Sequence, residues 1–303
     1  MKYIQDKIVP GMQPLKVAIV HPTDAFSILG AFESAAAKLI TPVLVGPVEK
    51  IRKAAQEAGI DITAFEIVPT EHSHDAAEKA VELAKTGKVE ALMKGKISTE
   101  ELLHPVVARE AGLRTQHRMT HVFITQDAGY HKPLFITDAA INIAPDLDVK
   151  LDIVQNAVDY FWRLENKAPK VAILTASEKV QTNMPATVDA GALVAMSRAK
   201  QIRGAIVDGP FALDIIFSKE AAKIKGIVSE VSGDPDIIVC PEVQTGNALY
   251  KSRVFMSGAE SGGLVLGAKI PIILTSRADN VQARINSSAM ALLYARGTPR
   301  PEA

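Results

Sequence analysis

A single cysteine, Cys240, stands in a chain of 303 residues. One thiol excludes an intrachain disulfide framework and a cysteine-rich zinc site, and it fits a reducing cytoplasm. Neither sign of charge is in excess, with 34 basic and 34 acidic side chains. The chain therefore has no general attraction for nucleic acid or an anionic membrane, and any anion site must be local. Aromatic residues make up only 5% of the sequence and are scattered, which argues against a stacking surface for single strands. Long apolar runs are missing too: no stretch reaches the roughly eighteen residues a membrane-spanning helix needs. The opening "MKYIQDKIVPGMQPLK" is charged and lacks the apolar centre of a secretory signal. These absences lead to the expectation of a cytoplasmic globular protein that binds neither nucleic acid nor membrane.

Catalytic signatures are also sparse. There is no Gly-x-Ser-x-Gly elbow and no Gly-x-Gly-x-x-Gly fingerprint after a strand. "MKGKIST" has the look of a phosphate-binding P-loop, but Glu90 stands where its first glycine belongs. His72 and His74 are two apart and cannot share a helical face well, which argues against metal ligation there. His117 and His121 are four apart, but a strand begins near 121 and no carboxylate partner is evident. Cys240 closes an apolar strand and reads as a core thiol.

What is present is a regular alternation. Eleven short apolar runs recur, at 16–20, 41–46, 64–68, 90–94, 121–125, 133–137, 170–175, 204–208, 236–240, 263–267 and 271–275. Most are continuous rather than alternating, the pattern of strands buried on both faces of a parallel sheet. Helical periodicity fills the gaps. "DAAEKAVELAKTGK" sets Ala76, Ala80, Val81, Leu83 and Ala84 on one stripe, and "STEELLHPVVARE" opens with a capping box of Ser98 and Glu101. The class is α/β. The runs at 121–125 and 133–137 are joined by "QDAGYHK" and predict an antiparallel hairpin, which places a domain boundary there.

Ligands of open α/β sheets bind beyond the carboxyl ends of strands, where helix N-termini offer free N–H groups to anions. Lys94, Gly95, Ser98 and Thr99, with Lys96 between them, follow the 90–94 run as candidate phosphate contacts. The competing reading for that stretch is a capped helix with solvated lysines. Gly246 and Asn247 stand at a turn into a helix, and Thr275-Ser276-Arg277 with Asp279 end the last apolar run.

Taken together, "DAAIN" (138–142), "DGPFALD" (208–214), "TGNALYK" (245–251) and "PIILTSRAD" (271–279) resemble the phosphate acetyl/butyryltransferases. They occur in that family's order and at its approximate spacing. The resemblance runs from "KVAIV" to "AMALLYA", nearly the whole chain. It implies two α/β domains with an isocitrate/isopropylmalate dehydrogenase-like architecture and an interdomain cleft. The domains would be 1–127 plus 272–303 and 128–271, in a homodimer. The implied reaction is reversible, acyl-CoA plus phosphate to acyl phosphate plus coenzyme A, for a short acyl group. Coenzyme A esters and phosphate are then the partners, with no further cofactor and no metal.

By motif, Ser276 would donate to the carbonyl or the thiol and Arg277 would hold phosphate, while Asn142 and Asn247 would shape the cleft. In the acetyl branch the proposed base is a carboxylate seven residues after the serine; here that position is Ala283. Asp279 becomes the nearest candidate base, with capping of a helix from Asn280 as its other reading. Lys94 would replace an arginine of that branch as the anion contact. Two alternative readings stand beside this one. A metal- and nicotinamide-dependent decarboxylating dehydrogenase of the same architecture would need clustered aspartates such as Asp208, Asp214, Asp234 and Asp236. A non-catalytic coenzyme A or acyl-phosphate binder would follow from Ala283.

Overall fold

A computed structural model describes residues 1–274 and 280–301, so the Thr275–Asp279 segment lies outside the described residues. The chain opens with a short helix α1 (Lys2–Gln5) and then alternates strand and helix: β1 (Leu15–Val20), α2 (Ala25–Ala36), β2 (Ile40–Gly46), α3 (Val48–Ala58), β3 (Glu66–Pro69), α4 (Ser73–Lys85), β4 (Ala91–Lys94) and α5 (Thr99–Val107). A second series follows: β5 (Thr120–Gln126), β6 (Leu134–Thr137), α6 (Leu147–Glu165), β7 (Lys170–Leu174), α7 (Pro185–Arg198), β8 (Ile206–Phe211), α8 (Leu213–Phe217), α9 (Lys219–Ile224), β9 (Ile237–Val239) and α10 (Val243–Ser257). The last elements are β10 (Glu260–Leu266), β11 (Ile272–Ile273) and α11 (Val281–Arg296). Each of the eleven apolar runs holds a strand. Among the described residues no helix is long and apolar enough to cross a membrane.

The chain divides into two compact units, 1–117 with 261–296 and 118–260 with 297–303. In the first, strands lie in the order β3-β2-β1-β4-β11-β10. All are parallel except β10, which runs antiparallel to β11 with Val265 opposite Ile272. Burial on both faces explains their unbroken apolar character: Val17 to Val20 and Ala91 to Leu92 have no exposed surface. In the second unit the order is β5-β6-β9-β7-β8. Here β5 and β6 form the expected antiparallel hairpin, Val122 opposite Thr137, and the other pairs are parallel.

Helix ends follow the sequence signals. Asp24, Ser98, Asp146 and Ser218 cap α2, α5, α6 and α9 by accepting from a backbone N–H in the first turn. α3 stops at Gly59, which adopts the left-handed conformation a side chain would resist. The capping box at Ser98 closes on one side only. Ser98 Oγ accepts from the Glu101 N–H at 3.0 Å. The Glu101 carboxylate does not return to Ser98; it takes the Ser73 hydroxyl and lies 3.4 Å from His74 Nδ1, so it ties α5 to α4.

α11 is the element whose composition says least about its place. Eight of its middle residues, Asn286 to Leu293, are buried, three of them polar. Each polar one has a partner. Ser288 Oγ meets Ser34 Oγ of α2 at 2.9 Å, Ser287 Oγ accepts from the Gly263 N–H at 3.0 Å, and Asn286 donates to the Ser261 carbonyl at 2.9 Å. A Cβ on Gly262 would come within 2.7 Å of Met290 Sδ, so glycine is what lets β10 approach this helix.

Candidate functional site

In the first unit the parallel strands deliver their carboxyl ends to one edge. Lys94 is the last residue of β4, one step beyond the Met93–Ile273 pair that joins β4 to β11. The chain then crosses the end of β1. Gly95 N–H donates to the Val20 carbonyl and Lys96 N–H to the His21 carbonyl, both at 2.9 Å. A Cβ on Gly95 would collide with the Val20 carbonyl oxygen and sit 2.8 Å from that of His21, so only glycine fits the crossing.

Two cavities flank this crossing within the first unit. One, of about 480 Å³, is lined by His21, Thr23, Lys50, Lys53, Glu57 and Lys96 and is basic. The other, of about 530 Å³, is lined by His74, Glu78, Ser98, Glu100, Glu101 and His104 and is acidic. The "KGKIST" candidates are thereby divided. Lys96 faces a cavity suited to an anion. Ser98 spends its oxygen as the α5 cap and borders three carboxylates. Thr99 is the first helical residue of α5.

In the second unit, three sequence candidates converge on the loop after β6. Asp138 is buried, and its carboxylate accepts from the backbone N–H groups of His121 (3.1 Å), Ala140 (2.9 Å) and Ile141 (3.0 Å). Asn142 Nδ2 donates to the same carboxylate at 2.6 Å and to the Met119 carbonyl at 3.0 Å. Asn247 Nδ2 donates to the Ala139 carbonyl at 3.2 Å. Gly246 packs against this loop so closely that a Cβ would lie 2.9 Å from Ala139 Cα. Both residues sit one turn inside α10 rather than in a turn ahead of it. The N-cap is Glu242, whose carboxylate accepts from Gln244 and Thr245 N–H at 2.7 and 2.8 Å.

Two histidines, His121 and His21, acquire defined environments. His121 is fully buried beside Asp138, and its Nδ1 has no hydrogen-bond partner among the described residues. Burial drives its pKa down to about 4, with the Asp138 charge opposing, so the ring is neutral at pH 7. His21 is pushed below its ordinary pKa by burial and by the Lys50 charge. Cys240 is a core thiol, as expected: it packs among Leu134, Ile136 and Tyr250, and burial holds it far above the normal thiol range.

Three of the four aspartates that a metal-dependent dehydrogenase would need are held in ion pairs. Asp234 pairs with His131, Lys132 and Lys170, Asp236 with Lys132, and Asp214 with Lys225. Among the described residues no group of three or more His, Cys, Asp or Glu is placed to hold a metal ion. Ser276, Arg277 and Asp279 lie outside the described residues. Directly after them, Asn280 Oδ1 accepts from the Ala283 N–H at 2.8 Å, so α11 is capped by Asn280, the role one reading gave to Asp279.

Sequence reasoning missed His21, Lys50 and Asp138. His21 follows β1 directly and answers to the same strand-end rule that found Lys94. Asp138 is the first letter of "DAAIN". Lys50 had no signal of its own, because only the docking of α3 brings it to His21.

Comparison with known proteins places this geometry. A family profile described as Phosphate acetyl/butaryl transferase matches residues 70–292. A phosphate acetyltransferase of Rhizobium meliloti is 49% identical over 282 residues, covering 93% of this chain and 89% of that protein. A phosphate butyryltransferase of Clostridium acetobutylicum is 42% identical, covering 84% of each. The crystal structure of a branched-chain phosphotransacylase from Enterococcus faecalis superposes with a TM-score of 0.82 at 28% identity, over 94% of this chain and 100% of that one.

Proposed function

The chain belongs to the phosphate acetyl/butyryl transferase family and is an acyltransferase, and from that premise we propose that it interconverts a short-chain acyl-CoA and phosphate with the acyl phosphate and coenzyme A. In the direction of coenzyme A acylation, the thiol loses its proton to a base and the thiolate sulfur attacks the acyl-phosphate carbonyl carbon. A carbon–sulfur bond forms, the carbon–oxygen bond to phosphate breaks, and inorganic phosphate leaves. Both substrates are bound together and no acyl-enzyme forms. Coenzyme A is a substrate, and no further cofactor is called for.

The observation that carries this reading to the described residues is the neighbourhood of two strand ends. β4 ends in Lys94 and pairs in parallel with β11, whose continuation in sequence is Thr275-Ser276-Arg277. Lys94 is the anion contact, and the Gly95 crossing holds it in place. Ser276 donates to the developing oxyanion or the thiol, and Arg277 binds the phosphate. Ala283 has no ionisable group, and Asn280 supplies the cap of α11, so Asp279 is assigned as the base. Asn142, Gly246 and Asn247 shape the wall formed by the 138–142 loop.

The finer architecture is an isocitrate/isopropylmalate dehydrogenase-like fold with the substrate cleft between its domains, in a cytoplasmic homodimer. The ordered motifs support it. The purified protein is expected to release free thiol from acetyl- or butyryl-CoA only when phosphate is supplied. Thiol release at the same rate without phosphate sinks the proposal.

A further inference from the structure

Asp138 is a carboxylate buried to 2% exposure, with no ion-pair partner among the described residues. Every bond it makes is to an N–H. Oδ1 accepts from the Ala140 and Ile141 N–H at 2.9 and 3.0 Å. Oδ2 accepts from the His121 N–H at 3.1 Å, from Asn142 Nδ2 at 2.6 Å and, more weakly, from the Asn142 N–H at 3.4 Å. Acceptance on both oxygens is what a carboxylate offers and an amide does not. The rest of the loop is braced by the second unit's own elements. The Cys240 N–H donates to the Thr137 carbonyl at 2.7 Å, Asn247 Nδ2 to the Ala139 carbonyl at 3.2 Å, and the Val243 N–H to the Ile143 carbonyl at 3.1 Å. The consequence falls on Asn142. Its Nδ2 donates to the Asp138 carboxylate and, at 3.0 Å, to the Met119 carbonyl. Both partners are oxygens that only accept, so both amide hydrogens are spent inward and the flipped amide is excluded. Asn142 Oδ1 has no hydrogen-bond partner among the described residues and reaches the surface.

We propose that Asp138 is a positioning residue that fixes the Asn142 amide, so that Oδ1 is offered to coenzyme A as the acceptor for an amide N–H of its pantetheine arm. The proposal rests on the reaction stated above. An acyl phosphate and phosphate present negatively charged oxygens, which a carbonyl oxygen repels. Coenzyme A is the substrate whose arm carries amide N–H groups, which donate and cannot accept. Its thiol is the poorer match. S–H is a weak donor, and an acceptor beside it favours the neutral thiol over the thiolate that the reaction needs. The same bonding gives the buried charge its use. An asparagine at 138 must turn its Nδ2 towards either the Ala140 and Ile141 N–H groups or the Asn142 Nδ2. Relief of the second clash flips Asn142 and exchanges its outward acceptor for a donor.

The test compares kcat/KM for an acyl-CoA and for two analogues in which each pantetheine amide N–H in turn is replaced by an ester oxygen. The proteins are the wild type, Asn142→Leu and Asp138→Asn. The wild type is expected to use one analogue about tenfold less well, the loss of a hydrogen bond that leaves its acceptor facing another oxygen. That loss should appear in KM more than in kcat. In both variants the natural acyl-CoA should fall to the level of that analogue, so the discrimination disappears. A purely structural role for Asp138 and Asn142 lowers all the substrates by one factor and leaves the discrimination in place, which overturns the proposal. A wild type that treats the natural substrate and both analogues alike overturns it too. Asn142→Leu leaves the backbone bonds of Asp138 intact, so it decides the question if Asp138→Asn does not fold. If the wild type shows no phosphate-dependent thiol release, the reaction is wrong, and calorimetry with coenzyme A and its two ester analogues on the same proteins still decides the Asn142 contact.

Discussion

At the scale of single residues, Ser276 carries a prediction about turnover and His121 one about stability. Ser276 is proposed to donate to the reacting centre, so Ser276→Ala should lower kcat by about a hundredfold or more, the loss of one oxyanion donor. A steady-state assay showing less than a threefold change removes Ser276 from the mechanism. His121 makes a different prediction. Its folded pKa is depressed to about 4 by burial, below the 6.5 of an exposed histidine. Between those values the unfolded chain binds more protons than the native one, so stability rises with pH through this window. The contribution is fully present above about pH 6.5 and is lost as pH falls towards 4. Urea titrations of wild type and His121→Gln over that range should show a shallower pH dependence in the variant. Parallel curves would mean that His121 is not buried neutral. Gly95 and Gly246 were legible as candidates in the sequence, but their reason was not. Each permits a close backbone approach to a segment distant in sequence, and that approach exists only after the strands are ordered.

At the scale of elements, the strands were the most readable part of the chain. Strands buried on both faces must be apolar throughout, and such runs stand out against polar loops. Helix starts were readable wherever a Ser or Asp precedes an amphipathic run. The start of α11 near Asn280 was readable too, but its buried face was not, because Asn286, Ser287 and Ser288 are buried alongside the apolar residues Ala289 to Leu293. Its stability depends on pairing each hydroxyl with a named partner. Ser288→Ala should leave the Ser34 hydroxyl buried and unpaired and cost about 1–3 kcal/mol by equilibrium denaturation. The double replacement of Ser34 and Ser288 by Ala should recover part of that loss. Strict additivity of the two single changes would show that the Ser34–Ser288 bond contributes no coupling. Glu101 teaches the same lesson. Its spacing from Ser98 promised a closed capping box, but the carboxylate found a better use joining α5 to α4.

At the scale of the whole molecule, family membership establishes an acyltransferase without choosing its acyl group, since relatives named for acetyl and for butyryl transfer both cover most of the chain. One methylene in an apolar pocket is worth about 1–3 kcal/mol, so chain-length preference should appear as a 10- to 200-fold spread in kcat/KM. Acetyl-, propionyl- and butyryl-CoA assayed side by side with phosphate measure it, and a spread below threefold would indicate a pocket that does not discriminate length. The sequence by itself determined the α/β class, the positions of the strands, the core status of Cys240 and the ordered motifs that identify the family. Those properties are local: they follow from runs of apolar residues, caps and short spacings that survive without knowledge of neighbours. Only the tertiary structure decided which polar residues share a site. It joined Lys96 to His21 and Lys50, turned Ser98 towards an acidic cavity, and gathered Asn142, Gly246 and Asn247 around Asp138. The physical reason is that strand order in a parallel sheet is set by crossover packing. Residues dozens of positions apart become neighbours at one sheet edge, and no pattern along the chain encodes which ones.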